Sequence, residues 1–458
     1  MNWLVFSNSL VLAGLTALVA GVFGFAVALW LSTLSARWRK LFLALAIIAL
    51  VMPPFLVTNC WLDLLGNNGP LQRWFPLNIY SLAGAVGLLA SLLWPITTLL
   101  TLAAWKRLEP SQLESDPRLR GAALLRWLLW PMARVAVGQA ALLTFVLALN
   151  NFAVPVILQV RVFPEEMWLA FTTRLNEQGA WAAAWPLVLA PLLVLALLRR
   201  AEIAWPRFDG TAAAWVIRRQ LGGGWLWTSG GVAFLLLALS VGLPLTQLVA
   251  SKRTWAELPN LCRAAPDVIW NSIALAAVPA TLCLALGLLT WRLRGGPILW
   301  LSFLVPGVLL GRVMISVFNG TMLYGTILMV MLAFAVRYVA PVWHGAAQAL
   351  RSVDRDLTDA ARLDGASGWT LLRRVQWPQI APQVGAAWYV TYLLCLWDVE
   401  TLVLIQPPGG ETLALRIFNL LHYGHHGQVN AMCVLLLGLA LAPMGVWSAY
   451  RWIRLKAG

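Results

Sequence analysis

The stretch that decides the fold runs from Asp359 to Pro382, DAARLDGASGWTLLRRVQWPQIAP, a polar, arginine-bearing segment between two long apolar runs. It is too polar to cross a bilayer, and its spacing is orderly. Asp359 followed by Ala360 and Ala361 reads as the start of a short helix, with the carboxylate at the positive end of the helix dipole. Gly365, six residues on, permits a sharp turn. A second amphipathic piece sets Leu371, Leu372 and Val375 on one face and Arg373 and Arg374 elsewhere, and Pro378 and Pro382 are expected to end it before the next apolar run. The expectation is a helix-turn-helix on a membrane surface, shaped to dock into a partner's groove.

The residues around this segment belong to a membrane protein. Hydrophobic residues make up 60% of the 458 and charged residues only 11%, where soluble domains carry about a quarter charged. The net charge of +15 raises nucleic acid as a partner. The basic residues, however, are not gathered into one patch with interleaved aromatics, so no nucleic acid is expected. The 27 Trp fit a bilayer, whose interfaces favour indole rings. Cys60, Cys262, Cys283, Cys395 and Cys433 form no CxxC pair, which indicates neither a zinc site nor a disulfide framework. The first apolar run has no basic residue before it and is too long for a signal's core, so it reads as a spanning helix.

Runs of about 20 apolar residues fall near 4–31, 41–63, 80–104, 134–159, 179–198, 226–249, 270–291, 297–318, 321–345, 383–405 and 429–450. The expected fold is an all-α polytopic membrane protein of about 11 transmembrane helices. The loops at 32–40, 105–134, 199–225, 292–296 and 346–382, with the C-terminal tail, hold 24 of the 33 Lys and Arg. By the positive-inside rule these are cytoplasmic, with the N-terminus periplasmic and the C-terminus cytoplasmic.

An internal repeat runs through the chain. Asn8-Ser9-Leu10 recurs as Asn271-Ser272-Ile273, and Pro53-Pro54 has a counterpart in Pro306-Gly307. Ser115 to Ala122 lines up with Asp359 to Ala366, and Trp130-Pro131 with Trp377-Pro378. Two copies of a five-helix unit result, 5 + 6 with an extra span at 226–249 that restores orientation, so that parallel copies become possible. The domains read as 1–220 and 221–458, the second with the extra leading helix.

The 359–382 segment resembles the EAA loop of permease subunits of binding-protein-dependent ABC importers, whose pattern is Glu-Ala-Ala, three residues, Gly, nine residues, Ile, one residue, Leu-Pro. Asp359 stands for the Glu, Ala360 and Ala361 match, Gly365 falls in place, Val375 stands for the Ile, Trp377 for the Leu, and Pro378 matches. The whole chain is similar to the fused permeases of iron(III), thiamine and related importers, in which two type I transmembrane domains share one chain. The resemblance implies a bacterial inner-membrane importer component whose loops couple to two cytoplasmic ABC ATPase subunits, with a periplasmic binding protein delivering a small solute such as ferric iron or a thiamine-like molecule. The first loop departs from the pattern. Gly121 to Pro131 is three residues shorter than Gly365 to Pro378, Ser115-Asp116-Pro117 occupy the Glu-Ala-Ala positions, and Arg118 follows them.

No GxxxxGK[ST] phosphate loop is present, so the chain is expected to be no enzyme and to carry no cofactor, with ATP and Mg bound by the partner ATPase. Ionisable groups inside spans are functional candidates, because lipid makes them expensive. Asp398 and Glu400 lie in the tenth run, and Asn150 and Asn151 at the corresponding place in the fourth. All four are candidates for the translocation path or for polar packing between helices. Residues two apart on a helix point about 200° apart, so Asp398 and Glu400 are not expected to face the same way. His422, His425 and His426 cluster in LHYGHHG; imidazole is a metal ligand, but the segment resembles the outer loop of iron- and thiamine-type permeases, and no metal site is expected. The rival reading is a secondary transporter driven by an ion gradient, favoured only by Asp398 and Glu400.

Overall fold

Backbone N–H and C=O groups in hydrocarbon must be satisfied within their own segment, which makes helices of the apolar runs. The computed structural model describes residues 3–67, 69–74, 77–105, 108, 113, 118–174, 177–198, 214–293, 296–422 and 426–457, and every regular element among them is helical. Seven described helices are long and apolar enough to cross a membrane, or eight if the bent pair Ala36–Leu50 and Pro54–Leu65 counts as one span. The expected eleven is not reached at that length, because several runs are broken into shorter helices. The chain divides by packing into two units, Met1–Lys252 and Arg253–Gly458.

The first unit contains α1 (Trp3–Ser32), α2 (Ala36–Val51), α3 (Pro54–Leu65), α4 (Leu82–Trp105), α5 (Trp130–Leu149), α6 (Ala153–Ile157), α7 (Phe163–Thr172), α8 (Glu177–Leu198), α9 (Ala214–Leu221), α10 (Gly223–Leu237) and α11 (Leu243–Ala250). Its centre is a triangle of α1, α4 and α5. Gly24 allows the close approach of α1 to α4, where a Cβ would overlap the Trp94 carbonyl and Thr97. The span at 226–249, expected to lead the second domain, packs here instead. Phe234 lies against Trp30 and Phe42, and a Cβ on Gly230 would come within 2.9 Å of the Trp30 indole nitrogen. The packing boundary therefore falls after Lys252 rather than at residue 220.

The second unit contains α12 (Pro266–Thr290), α13 (Gly296–Leu304), α14 (Gly307–Phe318), α15 (Ile327–Arg351), α16 (Arg355–Leu363), α17 (Trp377–Leu396), α18 (Leu402–Ile405), α19 (Leu413–His422) and α20 (His426–Ala457). It repeats the triangle with α12, α15 and α17. Gly287 meets Trp343 and Ala346 as Gly24 meets α4. The Asn-Ser pairs do equivalent work in each unit. Ser9 Oγ accepts from the Phe163 N–H at 2.9 Å, and Ser272 Oγ accepts from the Leu413 N–H at 2.8 Å. Asn8 donates to the Arg161 carbonyl, and Asn271 to those of Gly409 and Glu411. Each pair thus ties the start of a long helix to the start of a short one. Replacing Ser272 with Ala orphans the buried Leu413 N–H and is expected to cost about 1–3 kcal/mol, read as a lower unfolding midpoint of the purified chain.

Prolines break two runs and are absorbed by others. Pro53 and Pro306 hold extended ψ angles of 126° and 140°, so the runs 41–63 and 297–318 are each two helices rather than one. By contrast, Pro131, Pro244 and Pro378 each follow a π-turn, at Leu125–Leu129, Ala238–Gly242 and Leu372–Gln376. In each, the N–H of the residue before the proline donates to the carbonyl five back: Trp130 to Leu125, Leu243 to Ala238 and Trp377 to Leu372. A proline ring strikes the carbonyl four residues back in a regular helix, and the wider turn removes that collision. Pro378 and Pro382 therefore do not end the helix as expected; Pro378 opens α17 and Pro382 lies inside it.

Candidate functional site: an exposed loop and a buried ion cluster

The polar segment begins earlier than its Asp-Ala-Ala triplet implies. Asp354 caps α16, its carboxylate accepting from the N–H groups of Asp356 and Leu357, which satisfies donors that a helix start leaves open. Asp359 is consequently mid-helix, not at its start, and pairs with Arg362 at 3.0 Å on an exposed surface. Gly365 has φ +85°. Its N–H bonds the Arg362 carbonyl and the Ala366 N–H bonds that of Ala361, the paired bonds of a Schellman stop, which needs a left-handed residue at this place. The spacing from Asp359 to Gly365 is thus the length of the last helical turns plus their stop.

Gln379 holds this helix to α17. Its Oε1 accepts from the Asp354 N–H at 2.9 Å, and its Nε2 donates to the Val375 carbonyl at 2.8 Å. Thr358 faces inward, and Ala360 and Gly365 are exposed with Asp359 and Pro378. Leu363 is 90% exposed and Trp369 71%. Leu371 is buried, but Leu372 is exposed and Val375 half-buried, because the π-turn breaks the single face expected of them.

The first loop differs. Of its expected residues, Ser115, Asp116 and Pro117 lie outside the described residues, while Arg118 and Pro131 are exposed. Gly121 has φ +54° and Gly368 φ +48°. Each is followed four residues later by the π-turn and nine later by Trp-Pro. Gly121 is therefore the counterpart of Gly368 rather than of Gly365, and Arg118 occupies the place of Gly365. The apparent three-residue deficit disappears. This loop is also covered within its own unit. Leu113, Leu124 and Leu129 are fully buried with Val216, Ile217 and Leu221 of α9, and the Gly121 N–H bonds the Gln220 carbonyl at 2.8 Å.

The path candidates sit at helix breaks. α5 ends at Leu149 and α17 at Leu396, with Asn150 and Trp397 as their caps. Asn151 Oδ1 accepts from the Val154 N–H at 3.1 Å, and Asp398 Oδ1 accepts from the Thr401 N–H at 2.9 Å. Asn150 is buried beside its break. Because α17 has ended before Asp398, the 200° rule does not apply, and both acids meet one cation. Arg337 Nη1 donates to Asp398 Oδ1 and Oδ2 at 3.1 and 3.0 Å and to Thr401 Oγ1 at 2.6 Å, and Nη2 donates to Glu400 Oε2 at 2.6 Å. Tyr338 and Thr401 hydroxyls donate to Asp398 Oδ2. A Cβ on Gly307 would overlap the Arg337 guanidinium and lie 2.7 Å from the Thr401 N–H. The sequence alone did not single out Arg337, Tyr338 or Thr401, and offered Gly307 only as part of the repeat; Arg337 lies in the middle of α15. A lone cation in the run LAFAVRYVAPV was the available signal. His422 ends α19 and His426 begins α20, and His425 lies outside the described residues.

Residues 266–394 match the family described as the binding-protein-dependent transport system inner membrane component. The spermidine/putrescine transport system permease protein PotC of Escherichia coli K12 is 27% identical over 184 residues, covering 37% of this chain and 69% of PotC. PotC of Haemophilus influenzae is 28% identical over 185 residues, 38% and 71%. The putative 2-aminoethylphosphonate transport system permease protein PhnV of Salmonella paratyphi A is 28% identical over 153 residues, 32% and 58%. The match spans α12 through most of α17 and so includes the whole Schellman-stopped loop. The family match therefore lies wholly within the second packing unit.

Proposed function

We propose that this chain is the transmembrane permease of an ATP-driven, binding-protein-dependent importer in a bacterial inner membrane, with its N-terminus periplasmic and its C-terminus cytoplasmic. The observation that carries this reading is the exposed α16 with its Gly365 stop, inside the segment that matches the family. Two cytoplasmic ATPase subunits bind ATP and Mg and act on the loops; a periplasmic protein delivers the solute. ATP drives transport only by favouring one conformation over the other. The burial of Leu113 and its neighbours under α9 supports unequal coupling, with the second loop carrying more of it. The pathway residues of this reading are Asn150, Asn151, Asp398 and Glu400.

The solute reading moves. Ferric iron and thiamine-like cargo rest on the outer-loop resemblance alone, whereas the relatives are named for spermidine, putrescine and 2-aminoethylphosphonate, all bearing a primary amine. A small amine-bearing solute is the better-supported cargo. The rival ion-driven transporter needs acids free to take up the coupling ion, and Asp398 and Glu400 are held by Arg337.

Affinity purification of the tagged chain from its native membrane is expected to recover an ABC ATPase at about two copies per chain, with uptake abolished by ATP depletion. Uptake that instead follows the ion gradient, with no ATPase recovered, would overturn the assignment.

A further inference from the structure

One end of the first unit gathers on a single buried cluster. Ala28 and Leu29 of α1, Trp105 at the end of α4, and Leu124 and Leu129 before α5 pack there with Val216, Ile217 and Leu221 of α9. The Trp105 indole donates to the Leu129 carbonyl at 2.9 Å, which ties α4 to the start of α5. α2 and α10 begin at this end too, because α2 follows α1 across a short turn and α10 follows α9 across Gly222. The outward residues around the cluster are of two kinds. Arg37 and Lys40 of α2, Arg120 and Arg126 before α5, and Arg218 and Arg219 of α9 are exposed. So are Trp38, Trp127, Trp215, Trp225 and Trp227, which lie near them in sequence. Trp127 is 68% exposed and Trp227 79%, and the Arg126 guanidinium stands 5.3 Å from the Trp127 ring centre.

The charge is one-sided. Segments 32–40, 105–134 and 199–225 hold 14 Lys and Arg against five Asp and Glu, whereas 346–382 in the second unit holds five against four. No acid stands among the described residues of those three segments, and none of the exposed cations just named joins an ion pair among the described residues. Cations alone would suit any acidic partner. The indoles narrow the choice, because at headgroup level the ring meets acyl chain while its N–H stays in the polar layer. Arginine and lysine beside it bury their stems in the same layer and keep their charge at the phosphates.

We infer that this end of the first unit binds anionic phospholipids of the cytoplasmic leaflet, with Arg37, Lys40, Arg218 and Arg219 meeting the headgroup phosphates and Trp38, Trp215 and Trp227 seated at the acyl boundary. The side of the membrane rests on the orientation proposed above; the preference for anionic lipid does not. Because α9 also covers the first loop, lipid on its outer face braces that loop.

The test uses the full-length purified chain, in neutral detergent and in vesicles of phosphatidylcholine with or without phosphatidylglycerol. Native mass spectrometry is expected to show phosphatidylglycerol retained over phosphatidylcholine by about tenfold or more, and phosphatidylglycerol is expected to raise the unfolding midpoint by several degrees. Arg37→Gln, Lys40→Gln, Arg218→Gln and Arg219→Gln together should remove both effects. The matched set Arg351→Gln, Arg355→Gln, Arg373→Gln and Arg374→Gln should keep them. In the wild-type chain raised salt should weaken the preference, and inorganic phosphate, which offers the tryptophans no acyl chain, should give no shift.

Equal retention of the two lipids, a preference that ignores salt, or a shift that inorganic phosphate reproduces would each overturn the inference. So would a matched set that loses the preference as fully as the first, or a first set that keeps it while no longer recovering the ATPase, which would assign the surface to protein. If the first set does not fold, the salt and phosphate measurements on the wild-type chain still decide. If the wild-type chain recovers no ATPase, the permease reading fails and the lipid measurement stands.

Discussion

Arg337→Met is expected to cost about 3–5 kcal/mol of stability, because it strands a buried carboxylate that no longer has a counter-charge. Asp398 has no exposed side-chain surface through which water could compensate it. The methionine keeps most of the volume, so the loss reports charge rather than a cavity. The double variant Arg337→Met, Asp398→Asn is expected to recover a large part of the loss, since it reproduces the neutral cap that Asn151 already provides. Intrinsic fluorescence of the many tryptophans gives the unfolding midpoint. A midpoint for Arg337→Met equal to wild type, or a double variant no better than the single, would show that the cluster is not held by this pair.

The largest functional effect is expected at Gly365. Gly365→Asp puts an L residue at φ +85°, a strain of about 1–2 kcal/mol, but a Cβ there meets nothing within 4 Å. The chain should insert and fold while uptake falls by an order of magnitude or more, because a new charge and a deformed stop are presented on the surface proposed to meet the ATPase. Membrane levels by immunoblot and uptake by radiolabelled solute separate the two effects. Gly121→Asp is expected to act differently. Its φ and ψ of +54° and −122° are open essentially to glycine alone, and its N–H is tied to α9, so the change should lower the amount of folded protein. Per folded molecule, Gly365→Asp should be the more damaging to uptake. Unchanged uptake in Gly365→Asp, or the reverse ranking, removes the role proposed for the second loop.

Much of this was legible in the residues. Apolar runs located the long helices, and the Asn8-Ser9 and Asn271-Ser272 pairs marked a repeat that their hydrogen bonds bear out. Other features lay beyond one-dimensional reading. The start of α16 was misplaced because Asp354, a better cap, precedes the triplet that drew attention. Gly121 was matched to Gly365 through neighbouring residues, whereas the spacing to Trp-Pro matches it to Gly368. The ion cluster depends on a helix ending at Leu396, and nothing in an apolar run announces that its last residues have left the helix. Arg337 was visible as a misplaced charge, but its partners lie some 60 residues away in sequence.

The π-turn at Leu372–Gln376 carries one more consequence. From Gly368 to Leu396 the chain is helical without a hinge, so the end that leaves the Gly365 loop and the end that reaches Asp398 belong to one shaft. Surface connections normally tolerate insertions and deletions. This one should not. Removing one residue between Leu372 and Gln376 would close the wide turn to a regular one and return the Pro378 ring to its collision with the carbonyl four residues back, at a cost of about 3 kcal/mol. The number of residues between Gly368 and Pro378 is therefore as much a part of the machine as their identity, and a single-residue deletion there should be more harmful than most substitutions in the same stretch.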